Sequence, residues 1–136
     1  MILADTSAWV EYDRGSGSPV ARRLTKLIAD NDEIAVTEPV LMEVLAGAQD
    51  ERRAADLRRL LLRFRLLGFD SVTDFEGVAR IYRTCRRAGV TPPGLIDCMV
   101  ATVALRTGAT LLAHDVDMAR IADIAGIHLD HASIGG

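Results

Sequence analysis

The chain has 136 residues, of which 49% are hydrophobic and 26% charged, and its formal net charge is −3. This length suits a single domain spanning residues 1–136, with enough apolar residues to form a core. No apolar run reaches the ~18 residues of a membrane span, and no basic stretch leads into an apolar signal core at the start. We therefore expect a cytoplasmic protein with no membrane partner.

Short apolar runs alternate with amphipathic stretches along the chain. We predict strands at 2–4, 34–36 and 110–113, with weaker candidates at 67–69 and 127–129. The intervening patterns predict helices at 20–29, 37–47, 50–66, 95–107 and 116–124. A capping box of Thr73 and Glu76 predicts one more helix, which ends at Gly89. Short apolar strands between helices imply a mostly parallel sheet covered on both faces, an α/β/α sandwich.

Two acidic residues directly follow predicted strands. Asp5 ends the run "MILA", and Asp115 comes after "ATLLAH". Ligands of an open parallel sheet bind in the crevice outside the carboxyl ends of its strands, so both side chains are candidates for a site there. Each could instead serve only as the N-cap of the following helix.

Two more acids stand inside strongly apolar helices. Glu43 lies in "PVLMEVLAG" and Asp97 in "PPGLIDCMVA", and neither has a Lys or Arg three or four residues away. A buried carboxylate costs several kcal/mol unless it is paired or neutralised. A divalent cation shared by several carboxylates would provide that compensation, although a solvent-facing Glu43 or a helix-capping Asp97 would not need one.

Oxygen-only ligands indicate Mg²⁺ or Mn²⁺ rather than zinc, because the three histidines form no matching cluster. A carboxylate site holding such an ion can activate a water and neutralise charge at a phosphodiester. The chemistry implied is hydrolysis of a nucleic-acid backbone. The two cysteines, Cys85 and Cys98, match no metal-binding spacing and are predicted to be buried thiols.

Four segments carry a resemblance to a known family: "LADTSAW", "PVLMEVLAG", "GLIDCMVATVAL" and "ATLLAHDVDM". In this order and spacing they resemble a PIN domain and, at this length, a VapC-type toxin of a bacterial toxin–antitoxin pair. The resemblance implies a ribonuclease that depends on Mg²⁺ or Mn²⁺ and often acts on structured RNA such as transfer RNA, which would inhibit translation. It also implies an antitoxin partner that inserts a segment over the active site, and a homodimer.

Matched residue by residue, the resemblance assigns an acidic quartet, a possible fifth acid and a supporting hydroxyl. The quartet is Asp5, Glu43, Asp97 and Asp115, the fifth acid is Asp117, and the hydroxyl is that of Thr6, which matches the residue that often supports the first Asp. The chain departs from the family pattern at two positions. Ala113 stands where Thr or Ser is frequent, which removes a possible hydrogen bond near Asp115. Met118 stands where Phe is frequent, which is a core exchange of similar volume.

The basic residues are almost all arginines, and ten of the fifteen lie between positions 52 and 87. Helical periodicity places them in two stripes, Arg52, Arg59 and Arg63 in one and Arg80, Arg83 and Arg87 in the other. They are either solvated helix faces or a surface that binds RNA phosphates, and an acidic antitoxin segment could use the same guanidinium groups. Aromatic residues make up only 4%, which argues against a base-stacking platform.

Other classes fit less well. A haloacid-dehalogenase-like phosphatase would need a second Asp where Ser7 stands, and a receiver domain would need a suitably placed Lys, whereas Lys26 is the only lysine. The Gly-rich motifs of P-loop and dinucleotide binders are absent, and three scattered histidines support no nucleophilic triad. A PIN-like module that binds RNA or protein without cutting stays open, although such a module would usually lack one of the four acids.

Overall fold

The structure, a computed structural model, describes all 136 residues. Its four strands are β1 (Ile2–Ala4), β2 (Ile34–Val36), β3 (Arg65–Leu66) and β4 (Thr110–Leu112). Its seven helices are α1 (Thr6–Arg14), α2 (Pro19–Ala29), α3 (Glu38–Ala46), α4 (Glu51–Leu61), α5 (Asp74–Arg87), α6 (Leu95–Thr107) and α7 (Val116–Ala125). The strands form one sheet in the order β3-β2-β1-β4, and every pair is parallel.

The strand order reverses at β1, because β2 and β3 extend the sheet on one side and β4 pairs on the other. Right-handed crossovers in opposite directions place their helices on opposite faces of a sheet. Accordingly, α1 packs on α2 and α3 and α3 packs on α4, whereas α5, α6 and α7 pack on one another. The predicted fold class, an α/β/α sandwich around a parallel sheet, is confirmed.

One continuous hydrophobic cluster of 31 buried residues surrounds the sheet. Leu3, Val36 and Leu111 are fully buried, as expected of strands covered on both faces. Cys85 and Cys98 are free thiols within this core, as the sequence predicts. No helix combines the length and the hydrophobicity that a membrane crossing requires.

The prediction of one helix over 50–66 is wrong at its end. The helix α4 stops at Leu61, and the edge strand β3 begins at Arg65, two residues before the predicted strand candidate at 67–69. Leu67 still joins the sheet, since its amide donates to the Val36 carbonyl at 2.8 Å. The apolar side chains of 60–64 keep helical spacing through the turn, so periodicity alone could not locate the break. The candidate strand at 127–129 contributes one isolated bridge, from Leu129 to Leu111.

The helix predicted to open at Thr73 is confirmed, with Thr73 as its N-cap, but the capping box is wrong because Thr73 makes no side-chain capping hydrogen bond. The start of α5 is fixed instead by Asp74, whose carboxylate accepts from the Asp70 amide at 2.8 Å. The same carboxylate receives two hydrogen bonds from Arg106, at 2.8 and 2.9 Å. A long-range ion pair thus replaces the local cap that the sequence pattern suggested.

Candidate active site

The carboxyl ends of β1 and β4 bring Asp5 and Asp115 to one crevice. The Asp5 amide donates to the Leu112 carbonyl at 2.9 Å, so the two strands stay paired up to the acid. Asp5 is the N-cap of α1, and Asp115 is the N-cap of α7, where its Oδ1 accepts from the Asp117 amide at 2.9 Å. This crevice lies where the strand order reverses, which is the usual ligand position in such sheets.

Asp5 is buried, with 2% of its surface exposed, and only one of its oxygens is hydrogen-bonded. Its Oδ2 accepts from the Ser7 hydroxyl at 2.8 Å and from the Ser7 amide at 3.4 Å. Its Oδ1 is buried without any partner. Burial raises the pKa of Asp5 to about 6, against the opposing hydrogen bonds from Ser7 and Thr6. A capping role therefore accounts for one oxygen and leaves the other available to a ligand.

Asp97 lies in the first turn of α6, where Gly94 rather than Asp97 is the N-cap. Burial is the main cause that raises its pKa to about 7, and four further carboxylates add to the shift: Asp5, Asp115, Glu43 and Asp117. The four acids of the quartet share one region of the molecule, and none of them forms a salt bridge with a Lys, Arg or His. These acids therefore lack a cationic partner in the structure, as the sequence predicts.

The hydroxyl groups at the start of α1 do not support the acids that the resemblance implies. The Thr6 Oγ1 donates to Glu43 Oε1 at 2.7 Å, so the Thr6 hydroxyl orients Glu43 rather than Asp5. Ser7 supports Asp5, and its Oγ also accepts from the His114 amide at 2.9 Å. Ser7 is not among the site residues predicted from the sequence. A hydroxyl two residues after a helix-capping Asp was the available signal, because that position lies within reach of the capping carboxylate.

The β4–α7 connection carries the remaining predicted features, among them Asp117, which adds to the raised pKa of Asp97. Asp117 is half-exposed, and its carboxylate lies 3.8 Å from Arg120. Ala113 is buried and has no side-chain hydroxyl to offer, but its amide donates to the Ser133 Oγ at 3.0 Å. Together with the bond from the His114 amide to Ser7, this contact fixes the backbone just before Asp115.

The donor set at this crevice fits a hard divalent cation. No three His, Cys, Asp or Glu side chains converge into a ready-made ion cage. The fit lies in the chemistry: oxygen donors only, an orphaned buried oxygen on Asp5, and mutually repelling carboxylates without cationic compensation. Asp5, Asp97 and Asp115 are the side chains that would hold the ion, with Glu43 placed beside them by Thr6.

A groove opens beside Glu43, between α1, α3 and α4, with a volume of about 440 Å³. Its apolar lining includes Trp9, Val10, Val44 and Leu57. An ion pair between Asp13 and Arg53 closes one side of it. The groove therefore combines an apolar floor with direct access to one acid of the quartet.

The two predicted arginine stripes differ in the contacts that their side chains make. On α4, Arg59 pairs with Asp56 at 3.4 Å, the Arg63 guanidinium stands 5.9 Å from the centre of the Phe64 ring, and Arg52 has no acidic partner. On α5, the predicted residues Arg80, Arg83 and Arg87 are all exposed. Arg86, which is not part of the predicted stripe, joins Arg83 and Arg87 around one depression.

Comparison with known proteins defines the class. The family model described as "PIN domain" matches residues 2–124. The VapC ribonuclease Mb1587 of Mycobacterium bovis and the ribonuclease VapC11 of Mycobacterium tuberculosis are each 42% identical over 128 residues, 93% of this chain and 96% of theirs. A solved structure of VapBC2 from Rickettsia felis, bound to a promoter DNA fragment, has a TM-score of 0.75 at 20% identity. It covers 96% of this chain and 98% of the other, which shows a shared fold. The chain belongs to the PIN domain family and, within that family, to the VapC group, which confirms the resemblance.

Proposed function

We propose that this protein is a metal-dependent endoribonuclease, the toxin of a toxin–antitoxin pair. The observation that carries the proposal is the acidic crevice: four carboxylates without a cationic partner, including an Asp5 oxygen that is buried and unbonded. The names of its relatives, which are ribonucleases, support the same activity.

Asp5, Asp97 and Asp115, with Glu43, would hold Mg²⁺ or Mn²⁺. When bound, such an ion supplies a water of lowered pKa and neutralises charge on the phosphodiester. The chain's own contribution is orientation and exclusion of water. Thr6 fixes Glu43 through its 2.7 Å hydrogen bond, Ser7 fixes Asp5, and burial of Asp5 strengthens its attraction for a cation.

The substrate class that we propose is structured RNA such as transfer RNA, whose cleavage would inhibit translation. The arginines of α4 and α5 suit contacts to the phosphate backbone, and the scarcity of aromatic residues disfavours recognition of unstacked bases. A cytoplasmic site of action follows from this substrate.

The test is cleavage of a total cellular RNA pool by the purified chain, freed of any partner, in Mg²⁺, Mn²⁺ or EDTA. Asp97→Asn is the paired variant, because it removes the charge and keeps the shape. Discrete fragments that need both the metal and Asp97 are the expected result, and their ends identify the RNA. An intact pool, with metal and RNA binding demonstrated separately, would support the alternative of a non-cutting module.

The partner that we propose is an antitoxin segment seated in the groove beside Glu43. One solved structure similar to this chain is described as a toxin–antitoxin complex from Klebsiella pneumoniae, and here an apolar floor adjoins the acidic crevice. A segment in that position would block access to the carboxylates. Val10 is 41% exposed in this groove, so Val10→Asp should weaken the complex with the co-expressed antitoxin and leave cleavage by the free chain intact. Unchanged affinity would exclude the groove.

We also propose a homodimer, with the exposed apolar side chains at the start of α5 as its candidate surface. Val72 is 82% exposed and Phe75 is 54% exposed, and the Phe75 ring packs edge-on against Phe69 at 4.8 Å. Phe75→Glu should convert a dimer to a monomer in light scattering. A monomeric wild-type chain, or a dimer that tolerates this change, would contradict the proposal.

A further inference from the structure

The second half of α5 is an uncompensated basic surface. Residues 80–87 contain four arginines and no acid, and all four arginines are exposed. None of them forms a salt bridge, whereas Arg53, Arg59 and Arg106 elsewhere in the chain each have an aspartate partner. The positive charge of this surface is therefore available to a ligand.

Three of these side chains surround one depression of about 340 Å³, lined by Arg83, Arg86 and Arg87 alone. Two of the three have local supports. The Arg87 Nη2 donates to the Thr84 Oγ1 at 3.3 Å, and the Arg86 guanidinium lies 5.9 Å from the centre of the Tyr82 ring. Apart from that bond of Arg87, the three exposed guanidinium groups make no hydrogen bond within the chain, and their forked donors match the geometry of phosphate oxygens.

The depression lies at the same end of the α5–α6 pair as the acidic crevice. The bond between Asp74 and Arg106 joins the start of α5 to the end of α6, so the two helices run antiparallel. The end of α5 consequently lies beside the start of α6, where Asp97 stands. Only the short segment 88–94 separates the two helices in sequence.

We propose that Arg83, Arg86 and Arg87 form a phosphate-binding subsite for the RNA backbone, beside the acidic crevice and apart from the scissile bond. The subsite rests on the proposed ribonuclease function and adds to it the point at which the substrate is held. A crevice of four carboxylates repels phosphates until a cation is bound, so binding energy for the RNA has to come from positive groups outside it.

The chemistry of the depression favours a nucleic-acid backbone over a protein segment. Its lining contains no apolar side chain, and protein segments are anchored mainly by buried apolar and aromatic groups. Arginines in the last turn of a helix also interact favourably with the helix dipole. If no ligand binds there, this interaction is their whole role. That structural role affects folding stability and leaves the salt dependence of RNA binding unchanged.

The test compares two double variants that each remove two charges four residues apart on one helix. Arg83→Gln with Arg87→Gln alters the subsite, and Arg22→Gln with Lys26→Gln on α2 is the matched control. The probe is fluorescein-labelled bulk bacterial transfer RNA in EDTA, followed by anisotropy between 50 and 200 mM KCl. Loss of two phosphate contacts should weaken binding about tenfold and reduce the salt slope by about 1.5, because each contact contributes ~0.7–0.9. The control should match the wild type.

Cleavage in Mg²⁺ then separates this proposal from the proposed function. The subsite variant should show a raised KM and an unchanged kcat, since its arginines do not contact the reacting atoms. If the wild type cleaves RNA and the subsite variant keeps its affinity and salt slope, the subsite is overturned and the function stands. If RNA binding depends on the two arginines but nothing is cut, the subsite stands and the function fails. No RNA binding, or a loss confined to antitoxin binding, overturns the subsite.

Discussion

Asp5 and Asp130 are both buried aspartates, with 2% and 4% of their surfaces exposed, but their surroundings differ completely. Asp130 receives hydrogen bonds from Arg23 Nε and Nη2 at 3.0–3.2 Å and one from the Ala132 amide at 3.0 Å. Burial opposes its ionisation, yet these contacts outweigh burial and lower its pKa. Asp5 has no cationic partner, one bonded oxygen and a pKa raised to about 6.

The same contrast separates Asp74 from Asp97. Hydrogen bonds from Arg106 lower the pKa of Asp74, whereas burial and four carboxylates raise the pKa of Asp97 to about 7. The chain can pair a buried acid with an arginine, and does so twice away from the crevice. The crevice acids have no such partner, so their ionisation costs stability until a cation binds, and perturbed carboxyl groups of this kind are typical of functional sites.

The sharpest way to test this comparison is to neutralise one acid of each kind. Asp5→Asn should reduce cleavage by on the order of a thousandfold or more, because activation of water then depends on a weakened metal site. In EDTA at pH 7 the same change should raise the free energy of unfolding by about 2 kcal/mol, since it removes a buried unpaired charge. Cleavage assays and urea unfolding measure the two effects. Retained cleavage together with lost stability would reverse the assignment of Asp5.

Asp130→Asn should behave in the opposite way. It weakens the charged hydrogen bonds from Arg23 and should lower the free energy of unfolding by about 2 kcal/mol. Cleavage at a temperature where the variant is folded should equal that of the wild type. An equal loss of activity in Asp130→Asn and Asp5→Asn would mean that the two kinds of buried acid do not differ in function.

In metal-free protein, the pH dependence of stability should also distinguish the crevice acids from the acids that are paired with an arginine. Asp5 and Asp97 have raised pKa values, about 6 and about 7, so the folded chain binds more protons than the unfolded chain above pH ~4. Stability should therefore rise by about 2 kcal/mol from pH 7 to pH 5. Asp74 and Asp130 have lowered pKa values, so their contribution is complete above pH ~4 and is lost as the pH falls further.

Urea unfolding in EDTA at several pH values measures this profile. The double variant Asp5→Asn with Asp97→Asn should be flat between pH 5 and pH 7, and saturating Mg²⁺ should oppose the slope in the wild type because it binds the deprotonated acids. A wild-type profile that rises toward pH 7 in EDTA would contradict the raised pKa values.

The sequence predicts correctly those strands and helices that have a local signal in their own residues. The runs at 2–4 and 34–36 and the helix at 95–107 match the structure, because continuous apolar strands and a helix flanked by Gly residues leave local signals. The break between Leu61 and Arg65 does not leave such a signal, since it depends on pairing with Val36. The start of α5 at Thr73 is predicted correctly, but the contact that holds it is not, because its anchor, Arg106, is 32 residues from Asp74.

At the candidate site, the sequence predicts the acids but not the hydroxyl groups that are hydrogen-bonded to them. Glu43 and Asp97 stand out because they interrupt apolar helices, which is a property of the sequence alone. Which hydroxyl supports which acid depends on how α1 faces α3, a tertiary relation that assigns Thr6 to Glu43. The bond from the His114 amide to Ser7 likewise spans 107 residues and needed the β1–β4 pairing to form.

Ser7 gives the smallest of the expected effects and tests whether the unpaired acid still needs orientation. Ser7→Ala removes the 2.8 Å bond to Asp5 and the acceptor of the His114 amide. Cleavage should fall about tenfold to a hundredfold, as for other residues that orient metal ligands. Titration should show a weaker affinity for Mn²⁺ than in the wild type. Saturating metal should therefore partly restore cleavage.

Ser16→Ala is the matched control, because Ser16 also donates a 2.8 Å hydrogen bond to a carboxylate, that of Glu11, but on the exposed surface. It should leave cleavage and metal affinity unchanged. Ser7→Thr should retain the hydroxyl and most of the activity, which a purely steric role for Ser7 would not allow. If Ser7→Ala only lowers the melting temperature and leaves the metal affinity at the wild-type value, then Ser7 joins the ends of β1 and β4 without orienting Asp5. Asp5 would in that case be held by its position as helix cap alone.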